Sequence, residues 1–336
     1  MEATRRLINK QSLEALYGIL SNEYRMYAPV ANKKGTTEYI YDPPFADVSF
    51  NHIQSTLSVK NVVFPKVEKL FSYTTDKLTT EIEGTDYNKV PKVVLWGAHP
   101  CDTAAFEVLE SIFCWDTKDE FFVRRKENIL VVGLACQQSD AYCFCTSVGL
   151  SPESTRGSDI LLTPLTSGEY FADFVTEKAQ KILDQNANLF SQPDGQTKDI
   201  TQVAQLFDHI TVHEKLKTAF NHPFWVENSL RCVGCSACAF VCPTCACFDM
   251  QDESNGKTGV RYRSWDSCGT ALFTLHTSGH NPREIQSQRW RQRIMHKFSY
   301  MPDRNNSYGC VGCGRCSRGC PVDMNIAEQL LELQNI

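Results

Sequence analysis

Hydrophobic residues follow helical and strand-like patterns in turn along the N-terminal part of the chain. SLEALYGILSNEYR has apolar residues at helical spacing. The next segment, RMYAPVA, has the composition of a strand. The apolar runs KVVLWGA and NILVVGL are continuous rather than alternating, which is typical of strands buried on both faces of a parallel sheet. These patterns predict an α/β fold for this part of the chain.

The segments that follow these runs extend the α/β pattern. Asp102 is expected to cap a helix formed by TAAFEVLESIF, whose apolar residues share one face. DILLTPL and GEYFADFV predict a pair of hairpin strands, and TEKAQKIL and VAQLFDHITVHEKLKTAF predict helices. We therefore predict an α/β domain at residues 1–220.

The rest of the chain, residues 221–336, has a different pattern. NHPFWVENSL predicts a helix that leads the chain to Cys232, and PREIQSQRWRQRIMHK predicts a helix with basic residues on several faces. A basic helix of this kind either meets an acidic partner or presents a solvated surface. We predict a second, mainly helical domain here.

Composition and charge narrow the class of protein. The chain has 336 residues, 42% of them hydrophobic, and a formal net charge of −5, which gives no general attraction to nucleic acid or to an anionic membrane. The N-terminal sequence lacks the apolar core of a signal peptide, and no apolar run is long enough to span a bilayer. We expect a cytoplasmic protein with no direct membrane insertion and no nucleic-acid partner.

Cysteines are the chemically informative residues of this sequence. The chain has 16 of them, of which five lie between Cys101 and Cys145 and eleven lie between Cys232 and Cys320. Disulfides are rare in the cytosol, so this many cysteines indicate metal binding or redox chemistry.

The second group of cysteines contains the spacing C-x2-C-x2-C-x3-C-P twice, separated by an insert at residues 243–309. In this bacterial ferredoxin pattern, three close cysteines bind one iron–sulfur cluster and the fourth binds the neighbouring cluster. We therefore predict a ferredoxin-type domain with two [4Fe–4S] clusters, whereas zinc sites usually contain separate CxxC pairs. The predicted ligand sets are Cys232, Cys235, Cys238 and Cys320 for one cluster, and Cys310, Cys313, Cys316 and Cys242 for the other.

Cys101 and Cys136 each follow one of the continuous apolar runs. If both runs are parallel strands of one sheet, the two cysteines share its carboxyl edge, where open α/β sheets bind ligands. Cys143 and Cys145 follow within one loop. We predict a third Fe–S cluster on these four thiolates, with buried apolar packing, a zinc site or a flavin site as alternatives.

A cluster needs four ligands, and the group formed by Cys245, Cys247 and Cys268 supplies only three thiols. We expect them to lie beside a cluster, where they tune it or pack against it, and a further cluster is the alternative. Cys114 is expected to pack in the interior.

The chain resembles the beta subunit of cytosolic sulfhydrogenases, which are NiFe hydrogenases, and the corresponding iron–sulfur subunit of anaerobic sulfite reductases. The segments that carry this resemblance are YAPV, FPKVEKLF, PCD, ENILVVGLACQQSDAYCFC, CVGCSACAFVCPTCACF, RSWDSC, SGHNPRE and CVGCGRCSRGCP.

This resemblance implies an iron–sulfur subunit that relays single electrons. Its expected partners are a subunit that binds FAD and NAD(P)H or is linked to ferredoxin, and a catalytic reductase or hydrogenase subunit. On this hypothesis the isolated chain has no turnover of its own. One alternative is a catalytic Fe–S subunit with an open cluster site at Cys101, Cys136, Cys143 and Cys145. Another is a structural Fe–S module that binds nucleic acid.

Overall fold

The computed structural model describes residues 3–336. The described strands are β1 Thr4–Ile8, β2 Arg25–Ala31, β3 Thr37–Tyr41, β4 Val67–Thr75, β5 Thr80–Gly84, β6 Val93–Ala98, β7 Ile129–Leu134, β8 Ile160–Pro164, β9 Tyr170–Phe174, β10 Phe248–Ser254 and β11 Thr258–Trp265. The described α-helices are α1 Lys10–Ser21, α2 Pro100–Phe113, α3 Glu120–Glu127, α4 Glu177–Gln185, α5 His209–Leu216, α6 Phe224–Glu227, α7 Ala237–Phe240, α8 Gln286–Met295, α9 Met301–Asn305, α10 Arg315–Arg318 and α11 Ile326–Gln334. A π-helical segment, His296–Tyr300, connects α8 to α9.

The larger sheet has the strand order β1-β9-β8-β7-β6-β2-β3. The pairs β2–β6, β6–β7 and β7–β8 are parallel, and the outer pairs are antiparallel. The strands β8 and β9 form the hairpin pair that the sequence predicted. Because β6 and β7 are parallel neighbours, their carboxyl ends lie at the same edge of the sheet, as predicted.

Helices cover both faces of this sheet. Val94 and Trp96 of β6 pack in one core with α1 and α4, while Val93 and Leu95 pack in another core with α2 and α3. Alternate residues of one strand are therefore buried on opposite sides, which explains the continuous apolar runs. The prediction of a mixed α/β N-terminal region is confirmed.

A smaller sheet joins distant parts of the chain. Its order is β10-β11-β4-β5, and each neighbouring pair is antiparallel. The strands β10 and β11 come from the insert between the cysteine motifs, whereas β4 and β5 come from the N-terminal part. The sequence did not predict this hairpin or its pairing with β4, and the division at residue 220 stays a prediction.

The short helices of the C-terminal part share a core with residues from the N-terminal part, among them Phe144 and Leu216. Trp290 and Ile294 of α8, Phe298 of the π-helical segment, and Leu330 of α11 pack there with Leu216 of α5. Within residues 3–336, no helix is long and apolar enough to cross a membrane.

Two helix predictions need correction. Asp102 does not cap α2, because Pro100 begins that helix and His99 is its N-cap; proline favours the first helical position. The stretch VAQLFDHITVHEKLKTAF is helical only over His209–Leu216, where the Asp208 side chain caps the first turn.

Candidate metal centres

The two motifs bring four cysteines to one cavity, here called the first motif cavity. These cysteines are Cys232, Cys235, Cys238 and Cys320. Cys232 and Cys235 precede α7, Cys238 lies in α7, and Cys320 follows α10. The structure therefore gathers the predicted set, including the one member from the distant motif. Gln286 Nε2 donates a hydrogen bond to Cys232 Sγ over 3.0 Å, and the indole of Trp290 also lines the cavity.

The reciprocal set lines a second cavity, here called the second motif cavity. Its cysteines are Cys242, Cys310, Cys313 and Cys316. Phe144, Val311 and Ile326 form the apolar part of the remaining wall, and Arg293 and Lys297 line it as well.

The loops of both motifs contain residues with left-handed backbone. The positive φ angles fall on Gly234, Ser236, Gly312 and Gly314. Such turns aim backbone N–H groups at the sulfurs: Gly312 donates to Cys310 Sγ at 3.5 Å and Met324 donates to Cys320 Sγ at 3.2 Å. Thiol-only donor sets with N–H groups directed at sulfur fit iron–sulfur clusters.

The four N-terminal cysteines predicted to act together line a third cavity, here called the sheet-edge cavity. They are Cys101, Cys136, Cys143 and Cys145. Cys101 lies in the first turn of α2 after β6, and Cys136 follows β7. Gln54 Nε2 donates to Cys101 Sγ over 2.9 Å. The parallel sheet thus gathers thiols that are up to 44 positions apart in the sequence.

The loop that carries Cys143 and Cys145 packs directly on the second motif. Phe144 N–H donates to Gly312 O over 2.9 Å. A Cβ atom on Gly312 would lie 2.5 Å from Cys145 Cα, and one on Gly314 would lie 2.4 Å from the carbonyl oxygen of Tyr142. Both positions need glycine because φ is positive and the neighbouring backbone leaves no room for a side chain.

Two ion pairs fasten the second motif to the sheet edge. Arg315 donates to Asp102 through Nη1 and Nη2 over 2.7 and 2.6 Å, and both side chains are almost fully buried. Arg318 pairs with Asp140 and donates from Nη2 to Cys143 Sγ over 3.2 Å. A residue predicted to be a helix cap, Asp102, is therefore an ion-pair partner of the motif.

Neighbouring cavities share lining residues. Cys313 lines both the second motif cavity and the sheet-edge cavity, and Arg293 lines both motif cavities. The cavities therefore follow one another from the sheet edge, through the second motif, to the first motif.

The remaining cysteines of the insert line a fourth cavity, here called the Cys247 cavity. Cys245, Cys247 and Cys268 lie there with His296, at the start of the π-helical segment. Cys268 also lines the first motif cavity. Cys114 is half-buried against the core between the larger sheet and α2.

Buried cations lie among these sulfurs. Arg293 donates to Cys238 O at 2.9 Å and to Cys245 Sγ at 3.4 Å, and Lys297 donates to Cys242 Sγ at 3.4 Å. Both are only 4% exposed. The interpretation of their helix as a solvated or partner-facing basic surface is therefore wrong for these two residues.

Burial and charge act in opposite directions on the cysteine thiols. Burial raises the pKa of Cys136 to about 12 and that of Cys238 to about 11. A hydrogen bond with Cys245, followed by the charge of Lys297, lowers the pKa of Cys242 well below its usual value. Metal ligation requires thiolates, so the cations offset part of the cost of burying them.

Comparison with known families identifies the part of the chain that contains both motifs. Residues 231–324 match the family model described as a 4Fe-4S dicluster domain. The dicluster domain implies two [4Fe–4S] clusters, as predicted from the repeated spacing. Each of the two motif cavities in this domain offers four thiols.

A relative covers almost the whole chain. Sulfhydrogenase 2 subunit beta of Pyrococcus furiosus is 27% identical over 320 residues, which is 92% of this chain and 92% of that protein. The resemblance to sulfhydrogenase beta subunits is confirmed. The similarity includes the α/β region as well as the dicluster domain.

Sequence reasoning missed several residues that lie among the cysteines. Lys60 donates to Cys245 O over 2.9 Å from a 3-10 turn, and its sequence context contains no metal-binding motif. The sequence did contain a signal for Arg293, His296 and Lys297. Their positions i, i+3 and i+4 indicate that the three side chains share one face of a helix.

Proposed function

We propose that this protein is the iron–sulfur electron-transfer subunit of an oxidoreductase complex. It would take single electrons from one partner, which binds flavin and NAD(P)H or is linked to ferredoxin, and pass them to a catalytic reductase or hydrogenase subunit, or the reverse. The observation that carries the proposal is the series of cysteine-lined cavities, in which Cys313 lines both the sheet-edge cavity and the second motif cavity, and Arg293 lines both motif cavities. When bound, [4Fe–4S] clusters accept and release single electrons over a wide range of potentials.

The ligand assignment follows the cavities. In this proposal the dicluster domain holds its clusters through Cys232, Cys235, Cys238 and Cys320, and through Cys310, Cys313, Cys316 and Cys242. A third cluster is held at the sheet edge through Cys101, Cys136, Cys143 and Cys145. Every donor is a thiol, which suits iron–sulfur clusters better than calcium or magnesium.

The other side chains stabilise charge and exclude water. Arg318 supplies a cation beside Cys143 at the sheet edge, and Arg293 and Lys297 supply cations between the motifs. Hydrogen bonds to sulfur and nearby positive charge stabilise the more negative, reduced form of a bound cluster. Apolar walls such as Phe144 and Trp290 limit the access of solvent.

Several finer features belong to the same proposal. The chain is divided into an α/β domain at 1–220 and a mainly helical domain at 221–336, whose hairpin β10–β11 joins the smaller sheet. The name of the relative, one subunit of a sulfhydrogenase, supports membership of a multi-subunit complex. The identity of the electron donor and acceptor rests on this resemblance alone.

A catalytic role for the sheet-edge site is less well supported. It would require a thiol left free beside a substrate pocket. All four cysteines line one cavity instead, and Gln54 and Cys313 help to enclose it. A cluster with four protein ligands suits electron transfer.

The third cluster is tested by counting iron and acid-labile sulfide in the full chain purified without oxygen. The variant Cys143→Ser/Cys145→Ser should lose about four irons relative to the wild type. Cys114→Ser is the matched control, and it should lose none, since Cys114 lies against a hydrophobic core. Equal iron in the double variant and the wild type would remove the third cluster from the proposal.

The relay role is tested on the same material. The isolated chain should be fully reducible by a strong chemical reductant but should show no turnover. Reduction by NAD(P)H or reduced ferredoxin should require the co-purified partner subunits. An isolated chain that turns over substrate at the rate of the complex would rule out a simple relay.

A further inference from the structure

The Cys247 cavity gathers ligand-type side chains from separate segments. Cys245 and Cys247 come from the loop after the first motif, Cys268 follows β11, and His296 follows α8. Three thiols and one imidazole therefore line the same space. Four such donors are the number that an iron–sulfur cluster requires, and histidine replaces cysteine in some cluster types.

We propose that Cys245, Cys247, Cys268 and His296 bind an additional iron–sulfur cluster, separate from those of the dicluster domain and the sheet edge. This inference goes beyond the proposed function, which needs no ligand here. It also replaces the expectation, drawn from three cysteines alone, that these thiols only tune or pack against a neighbouring cluster.

The charges around the cavity support a negatively charged occupant. Arg293 and Lys297 line it, and Lys60 donates to the backbone of Cys245 at its edge. All three cations are buried, with Lys60 only 2% exposed. A buried cation is strongly unfavourable unless an anion or several hydrogen bonds compensate for it.

The anions available to these cations are cysteine sulfurs. Arg293 donates to Cys245 Sγ and Lys297 donates to Cys242 Sγ, each at 3.4 Å. Lys60 Nζ lies 2.9 Å from the carbonyl oxygen of Cys245. Neutral thiols or a Cys247–Cys268 disulfide would leave Lys60 without an anion. Thiolates on a metal cluster supply the missing negative charge.

Helix geometry explains how the fourth ligand reaches the cavity. Arg293, His296 and Lys297 are spaced i, i+3 and i+4, so they lie on one face of the helical segment. The π-helical stretch begins at His296, and such stretches occur frequently at functional sites.

The position of the cavity gives the additional cluster neighbours on two sides. Cys268 and Arg293 also line the first motif cavity, and Thr244 and Lys297 also line the second. The site therefore lies beside both clusters of the dicluster domain and outside the series that leads to the sheet edge.

The test uses Cys247→Ala and His296→Ala in the full chain, purified without oxygen. These positions are preferred to Cys268, because Cys268 also lines the first motif cavity. Iron and sulfide content should fall by about four atoms each in Cys247→Ala. In the wild type, pulsed electron paramagnetic resonance of the reduced chain should detect a nitrogen nucleus coupled to one cluster. That coupling should be absent from His296→Ala and from His296→Cys, and the latter should keep its iron.

Separate outcomes distinguish this proposal from the others. Cys114→Ser should keep the full iron content. Cys143→Ser/Cys145→Ser should lose about four irons from the sheet-edge cluster, separate from the irons lost in Cys247→Ala. Unchanged iron in Cys247→Ala would overturn the proposal without affecting the sheet-edge cluster. The proposal would also fail if the wild type held one zinc per chain and Cys247→Ala lost that zinc while its iron content stayed constant. A disulfide between Cys247 and Cys268 in the oxygen-free protein would overturn it as well.

Discussion

The two cysteine motifs and the sheet edge each bring four thiols together, but by different means. In the dicluster domain, three of the four thiols of each cavity lie within seven consecutive residues, such as Cys310–Cys316. At the sheet edge, Cys101 and Cys136 meet because β6 and β7 are parallel neighbours. Local loop geometry therefore builds the first kind of site, and the tertiary fold builds the second.

This difference has a consequence for stability. A motif loop brings three of the four ligands together with little help from the rest of the chain, and only the fourth ligand comes from the other motif. The sheet-edge site exists only while the sheet and the loop of Cys143 hold their positions, and that loop rests on Gly312 of the second motif. The sheet-edge site is thus expected to respond to changes far from its own ligands.

The largest effect is expected from Gly312→Ala. Its φ is +65°, and a Cβ atom would lie 2.5 Å from both the N and Cα atoms of Cys145, so the two loops must separate. The second motif cluster and the sheet-edge cluster should be lost together, a fall of about eight irons per chain. Iron analysis of the full chain checks this.

Gly168→Ala is the matched control for backbone strain. Gly168 has a φ of +84° in the turn between β8 and β9, and no atom lies within 4 Å of the added Cβ. This variant should lower the free energy of unfolding by about 1–2 kcal/mol and should leave the iron content unchanged. If Gly312→Ala kept its iron, the two kinds of site would be independent and the comparison would fail.

The same comparison explains what the sequence could predict. The cysteine spacing predicted which four cysteines would share each motif cavity, because a ferredoxin loop is a local structure with a fixed ligand pattern. The apolar runs before Cys101 and Cys136 suggested parallel strands of one sheet, and that condition was enough to group the four N-terminal cysteines. The pairing of β11 with β4 was not predictable, because alternating strands far apart in sequence contain no signal for their partner.

The cations were missed for a related reason. Arg293 and Lys297 lie in a segment rich in basic residues, and most such segments are solvated. Their burial depends on where the cysteine loops lie, which a helical pattern does not specify. Lys60 comes from a distant turn and reaches Cys245 only through the tertiary fold.

An intermediate effect is expected from Arg315→Met, which tests the ion pair between the two regions. Asp102 would then be a buried carboxylate without its cation, which costs about 3–5 kcal/mol. Hydrogen exchange of the amides of α2, measured on the full chain without oxygen, should become at least about 100-fold faster if local opening governs it.

The double variant Asp102→Leu/Arg315→Met should recover most of that protection, because an apolar pair often replaces a buried ion pair at little cost. Equal exchange in Arg315→Met and the wild type would show that the pair does not fasten the sheet edge to the dicluster domain.

The smallest effect is expected from Arg318→Gln, which leaves every proposed ligand in place. Arg318 donates to Cys143 Sγ and pairs with Asp140, so its loss removes a positive charge and a hydrogen bond from the sheet-edge cluster. The reduced cluster is the more negative form, so its potential should fall, on the order of 60 mV, which is a tenfold change in a one-electron equilibrium.

Arg261→Gln, which disrupts an exposed pair with Asp252 in the smaller sheet, is the control and should leave all potentials unchanged. An anaerobic redox titration of the full chain, followed by electron paramagnetic resonance, separates the clusters. If the shift in Arg318→Gln appeared only in the dicluster signals, Arg318 would act on the second motif and not on the sheet edge.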